Sequence, residues 1–197
     1  SMELVGRIPK ASPRGCSLSV EEVDRFFIQT NQELQEYPNH SMSEHTKKTQ
    51  IHLVKEVLNT LLQWSPEQVQ QVSEGLSKAN AYQGWSISID SILLGDWEQL
   101  ETSSHKPEHI TIVLARGVFT SGIEWVSLAL ASGANVHVKI PTGQYETTSQ
   151  WLLPFQQREL PITFSTDREL PPTDWIWAFG DNESIEQVLQ ATPHSHH

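Results

Sequence analysis

Apolar residues between positions 17 and 106 recur at three- and four-residue intervals, the period of helices with one buried face. Ser19 followed by Glu22 forms a capping box, and Val20, Val23, Phe26, Phe27 and Leu34 then fall roughly on one side of a helix. A second helix runs through Ile51, Val54, Leu58, Leu61 and Leu62. Ser65-Pro66-Glu67-Gln68 supplies a cap hydroxyl, a proline at the first helical position and a glutamine that reaches back to the cap. A third helix carrying Val69, Val72 and Leu76 starts there. Trp85 to Leu94 fits two patterns: Trp85, Ile87 and Ile89 alternate like a strand, whereas Ile89, Ile92 and Leu93 suit a helix ended by Gly95. The surrounding helices favour the helix.

After Pro107 the pattern changes. His109 to Ala115 is a short β-rich run, Ser121 to Ser132 an apolar helix closed by Gly133, and Asn135 to Ile140 a second β run through Val136, Val138 and Ile140. Strand, helix and strand in that length make a βαβ unit with parallel strands. A helix over 145–157, strands over 162–165 and 175–179, and a helix over 183–190 extend the alternation. The expected architecture is α/β and Rossmann-like, a mostly parallel sheet with helices on both faces behind an N-terminal helical segment. The expected divisions are an irregular leader over 1–16, a helical segment over 17–106 and the α/β domain over 107–197. The leader holds Gly6, Pro9, Pro13 and Gly15 without apolar periodicity, and Ser1 before Met2 reads as a cloning remnant.

Charge narrows the function. Asp and Glu number 24 against 13 Lys and Arg, for a net charge of -11, so the surface repels phosphate backbones and anionic lipid, and no nucleic acid is expected as a partner. No run approaches the roughly 20 apolar residues of a membrane span, and the N-terminus lacks a secretory pattern, which points to the cytoplasm. Cys16, the single cysteine, cannot form an internal disulfide and has no histidine base beside it in sequence. His194, His196 and His197 lack the carboxylate or cysteine frame of a metal site, so no metal ligand is assigned.

Three segments can carry chemistry. Arg116-Gly117-Val118-Phe119-Thr120-Ser121-Gly122 joins a strand's carboxyl end to a helix start, where open α/β sheets place ligands, although its glycines do not spell the dinucleotide fingerprint. A glycine-assisted turn fits the same spacing. Lys139 ends the next strand, where a cation can meet a ribose or phosphate, or stand in solvent as isolated lysines ordinarily do. Phe179-Gly180-Asp181-Asn182-Glu183-Ser184 opens the last helix. Gly180 permits close backbone approach, while Asp181 reads as a cap and dipole partner.

In their order these segments resemble the bioluminescence-type long-chain acyl-CoA reductases of the aldehyde dehydrogenase superfamily, over roughly residues 45–193. The quoted matches are Leu58 through Glu67, Ile112 through Phe119 with Val138-Lys139, and Trp175-Ile176-Trp177-Ala178-Phe179-Gly180-Asp181. The resemblance implies a cofactor domain for NADP or NAD with Lys139, Gly180 and Ser184 on the cofactor, Lys139 at its ribose or phosphate. It also implies that catalysis is missing. The family's oxyanion asparagine falls at Gly117, its second turn glycine at Asp181, and its nucleophilic cysteine beyond position 197. Loss of one oxyanion donor alone costs on the order of 100-fold to 1000-fold in rate. Two functions are therefore expected in outline: the cofactor half of an NAD(P)-linked acyl-CoA or aldehyde oxidoreductase, with no catalytic residue in this chain, or a half-length relative that binds a nucleotide or a protein. The seven tryptophans are expected to supply anchors for a partner or a homo-oligomer.

Overall fold

The computed structural model describes residues 44–73, 75–103, 107–116 and 120–179. Four helices come first: α1 (Glu44–Leu62), α2 (Pro66–Val72), α3 (Lys78–Leu93) and α4 (Trp97–Thr102). Then follow β1 (His109–Val113), α5 (Ser121–Ala131), β2 (Asn135–Lys139), α6 (Tyr145–Gln157), β3 (Ile162–Ser165) and β4 (Trp175–Ala178). The helix expected over 183–190, the first helix and the leader lie outside the described residues.

Local chemistry accounts for most boundaries. At α2 the capping box is complete: the Gln68 amide N–H donates to Ser65 Oγ at 3.2 Å and the Ser65 N–H donates to Gln68 Oε1 at 2.8 Å. The ambiguous Trp85 segment is helical and belongs to α3, which begins earlier, at Lys78, behind Ser77 as N-cap. Trp85 is buried in this helix, its indole donating to the Leu61 carbonyl at 2.7 Å and stacking on Trp64. Helix α4, not anticipated from apolar spacing, is a six-residue turn capped by Asp96, whose carboxylate accepts from the Gln99 N–H at 2.9 Å.

The four strands pair in the order β3-β2-β1-β4, all parallel. Directly paired residues share a face. Ile110, Val136, Ile162 and Trp175 form one row, and Ile112, Val138, Phe164 and Trp177 the next, so this face is entirely apolar. Both crossover helices cover it: Trp125 of α5 packs edge-on against Trp177, and Tyr145 of α6 packs against Phe164. The opposite face carries Thr111, His137, Lys139, Thr163 and Ser165 alongside Ile176 and Ala178. The connection from β3 to β4 crosses this second face. Its nine residues, 166–174, extend at most about 30 Å, and must return along the strand length and pass three strand spacings of about 4.8 Å. That distance leaves no length for a helix. Asp174 anchors the arrival, its carboxylate accepting from the Glu108 and His109 N–H groups at 3.1 and 2.9 Å.

Helices α1 to α4 form a third layer outside α5 and α6, sharing one core cluster with the sheet. A buried polar contact fixes α1 on α5: the Gln50 amide donates to the carbonyls of Leu130 at 2.7 Å and Ala134 at 3.3 Å. Beside it Gly133 closes α5 at φ +91°, with Lys47 of α1 packed 3.6 Å from where a Cβ would stand. Glycine suits both requirements at once. All seven tryptophans are in or against this core. Among the described residues no helix is long and apolar enough to cross a membrane.

Replacing Gln50 by Ala removes the side-chain donor from the Ala134 and Leu130 carbonyls, of which Leu130 keeps the Gly133 N–H, and opens a gap at the α1–α5 contact. The expected loss is about 2–3 kcal/mol, read as a lower urea midpoint at unchanged slope.

Candidate functional site

Strand order locates the site. The chain steps outward in one direction from β1 to β2 to β3 and then returns to the other side of β1 for β4. The order reverses between β1 and β4, and ligands of open parallel sheets bind outside the carboxyl ends of strands at such a point. Here the edge is formed by Leu114 to Arg116 after β1, the start of α5, Ile140 to Thr142 after β2, Thr166 to Arg168 after β3, and Phe179 after β4. The ladder continues into it: Leu114 N–H donates to Lys139 O at 3.0 Å, Ile140 N–H to Ser165 O at 2.8 Å and Phe179 N–H to Val113 O at 3.0 Å. These bonds hold the loop starts rigidly.

Beneath the crevice the aromatic rings of Trp125, Trp177 and Phe179 pack together, with Trp125 5.5 Å from Trp177 and 5.1 Å from Phe179. Gly122, in the first turn of α5, admits the ring of Trp151 from α6. A Cβ there would stand 3.2 Å from that ring and 3.5 Å from Leu114. Glycine at this helix start thus serves close helix packing, which is one of the roles glycines play in nucleotide-binding turns. Gly117 lies outside the described residues, as do Gly180 and Ser184.

Lys139 is the one assigned cofactor residue that the structure describes. Its side chain lies at the carboxyl end of β2, half-buried, and the ammonium donates to the carbonyl of Thr166 and, at 3.4 Å, to that of Ile140. It leans toward β3 and is not simply solvated. Burial lowers its pKa, opposed by the nearby Asp167 carboxylate and reinforced by Arg168. Arg116, past the end of β1, donates to the Thr142 carbonyl at 3.0 Å. Past the carboxyl ends of β1 and β3 and at the end of β2, one cation each therefore accompanies the edge, Arg116, Arg168 and Lys139, in a chain of net charge -11. Asp167 partly offsets them. The three come together only through the parallel register, and a cation at or just after each β run was their signal in sequence.

Glu124 is a further group that spacing alone passed over. It is an isolated acid in the otherwise apolar helix Ser121–Ala131, which is the available signal for a buried carboxyl. A helix's first turn ordinarily favours an anion. Desolvation outweighs that here and pushes the carboxyl from the ordinary value of 4.5 up to about 7. Among the described residues no cluster of three His, Cys, Asp or Glu is arranged to hold a metal ion. Comparison with protein-family models, curated proteins and solved structures found no match.

The raised pKa has a direct consequence for stability. Because Glu124 holds its proton more tightly when folded, its neutral form supports the fold fully below about pH 4.5, and that support is lost as pH rises to about 7. The loss amounts to about 3 kcal/mol. Glu124→Gln is expected to match the parent Tm at pH 4.5 and exceed it at pH 8 by roughly 5–10 °C. Parallel Tm profiles for the two proteins over that range would exclude a buried, neutral Glu124.

Proposed function

We propose that this chain is the cofactor-binding part of an NAD(P)-linked oxidoreductase of the acyl-CoA reductase and aldehyde dehydrogenase type, cytoplasmic, and without catalysis of its own. The observation that supports this reading is the all-parallel order β3-β2-β1-β4, which is the order of the first four strands of a dinucleotide-binding sheet, with Lys139 at the end of β2. In such sheets the end of the second strand faces the adenosine ribose.

The residues present suit a phosphate-bearing ligand. Arg116, Lys139 and Arg168 line the carboxyl edge, and a ribose phosphate arriving near Lys139 would exchange the Thr166 carbonyl for a charged acceptor, a stronger hydrogen-bond partner. An extra phosphate gains more than a bare hydroxyl from a cation, so NADP is the expected preference over NAD. When bound, the nicotinamide supplies a hydride. What this chain supplies is the rest: the β1–β4 crevice orients the cofactor, the aromatic base of Trp125, Trp177 and Phe179 excludes water from below, and Glu124 can hold a proton near neutral pH.

Titration with NADP, NADPH, NAD and NADH, followed by tryptophan fluorescence and calorimetry, tests the proposal. Saturable binding that favours the phosphorylated cofactors is expected, with Lys139→Ala weakening NADPH by about tenfold or more. Absence of binding up to millimolar cofactor would overturn the assignment and leave a partner-binding module, to which the exposed Ile87 and Leu94 of the helical layer would be relevant.

A further inference from the structure

The polar face of the sheet carries a cross-strand cluster that cofactor binding leaves unused. The parallel register sets Thr163 of β3 directly opposite His137 of β2, and Ser165 opposite Lys139, so all four share one face. The imidazole of His137 is bonded on both sides: Nδ1 lies 2.8 Å from Thr163 Oγ1 and Nε2 lies 3.3 Å from Ser165 Oγ.

The surrounding groups set the protons. The Asp167 N–H donates to Ser165 Oγ at 3.3 Å, which leaves the hydroxyl proton to turn toward Nε2. The Nδ1 proton then goes to Thr163 Oγ1. Burial lowers the pKa of His137, opposed by Asp167 and reinforced by Lys139, so the ring is a free base at neutral pH. A hydroxyl bonded to a neutral imidazole, whose other nitrogen is oriented by a third group, is the arrangement that activates serine as a nucleophile.

The cluster is open to solvent. Thr163 is exposed, His137 and Ser165 are half-buried, and an open depression beside His137 and Thr163, bordered also by Pro171 and Pro172, gives a small molecule room to approach. Lys139, paired with Ser165 in the ladder, places a positive charge on the side where acyl transfer develops a negative one. Thr163 is a neutral hydroxyl where a carboxylate would stabilise an imidazolium, so the arrangement suits one acyl transfer and not repeated turnover. We propose that Ser165 is an acyl-acceptor site for small activated esters, with His137 as its base and Thr163 as the positioning residue. Ser165 Oγ attacks the carbonyl carbon while His137 Nε2 takes the hydroxyl proton. The donor's C–O bond breaks, the departing alcohol carries the proton away, and the acyl group remains as an ester on Ser165.

p-Nitrophenyl acetate serves as the probe, applied to the full chain near neutral pH and followed by nitrophenolate release and peptide mass spectrometry. Acetylation of Ser165 is expected to run about 100-fold faster than that of the exposed Ser91 in α3. His137→Gln is expected to bring Ser165 down to the rate of Ser91. Thr163→Val is expected to slow it about tenfold and Thr163→Ser to restore it, with the Tm of each variant separating these effects from loss of the fold. The site is refuted by acetylation of Ser165 no faster than that of Ser91, by label on Lys139 in place of Ser165, or by an unchanged rate in folded His137→Gln or Thr163→Val.

Discussion

Helix α5 is enclosed on two sides, and the rest of the structure answers to that constraint. Of its eleven residues only Ser121 and Glu124 escape full burial, because the sheet lies against one side and α1 against the other. A helix apolar all round has no solvent face to offer. The outer helices α1 to α4 are therefore part of the core, and the Gln50 amide, bonded to the Leu130 carbonyl at the end of α5 and to the Ala134 carbonyl just beyond it, joins the layers. Gly122 in its first turn and Gly133 just past its end leave room for Trp151 and Lys47 to pack close to the backbone.

The same enclosure shapes the candidate site. Burying α5 to its first turn brings Glu124 along, and the carboxyl loses water without gaining a cation. Near neutrality it is poised between charge states, at a helix start that opens on the carboxyl edge. Trp125, one residue on, continues the core up to that edge and meets Trp177 and Phe179. Rigid walls and a titrating group near the crevice thus arise from packing demands, not from loops.

The two faces of the sheet divide the labour differently. One is apolar in every row and committed to the crossover helices. The other alternates into threonine, histidine, lysine and serine, and a nine-residue connection crosses it where a helix would ordinarily lie. Period-two alternation predicts such a division, since successive residues point to opposite sides. It does not reveal that prolines will roof part of the polar face, which depends on where β4 pairs.

Helix and strand identity was legible from the chain alone wherever the cause is local. The Ser65–Gln68 box, the span of α6, the β3 limits and the closure of α5 at Gly133 each follow from a few adjacent residues. Six residues capped by Asp96 were too short to show an apolar period, so α4 escaped notice. Lys139 was identifiable as a strand-end cation, yet its lean toward Thr166, its company with Arg116 and Arg168, and the raised pKa of Glu124 came from tertiary structure. Caps and periodicity act over one or two turns. Strand order, burial of a lone charge and the meeting of side chains from separate strands depend on contacts between residues tens of positions apart, which no local pattern encodes.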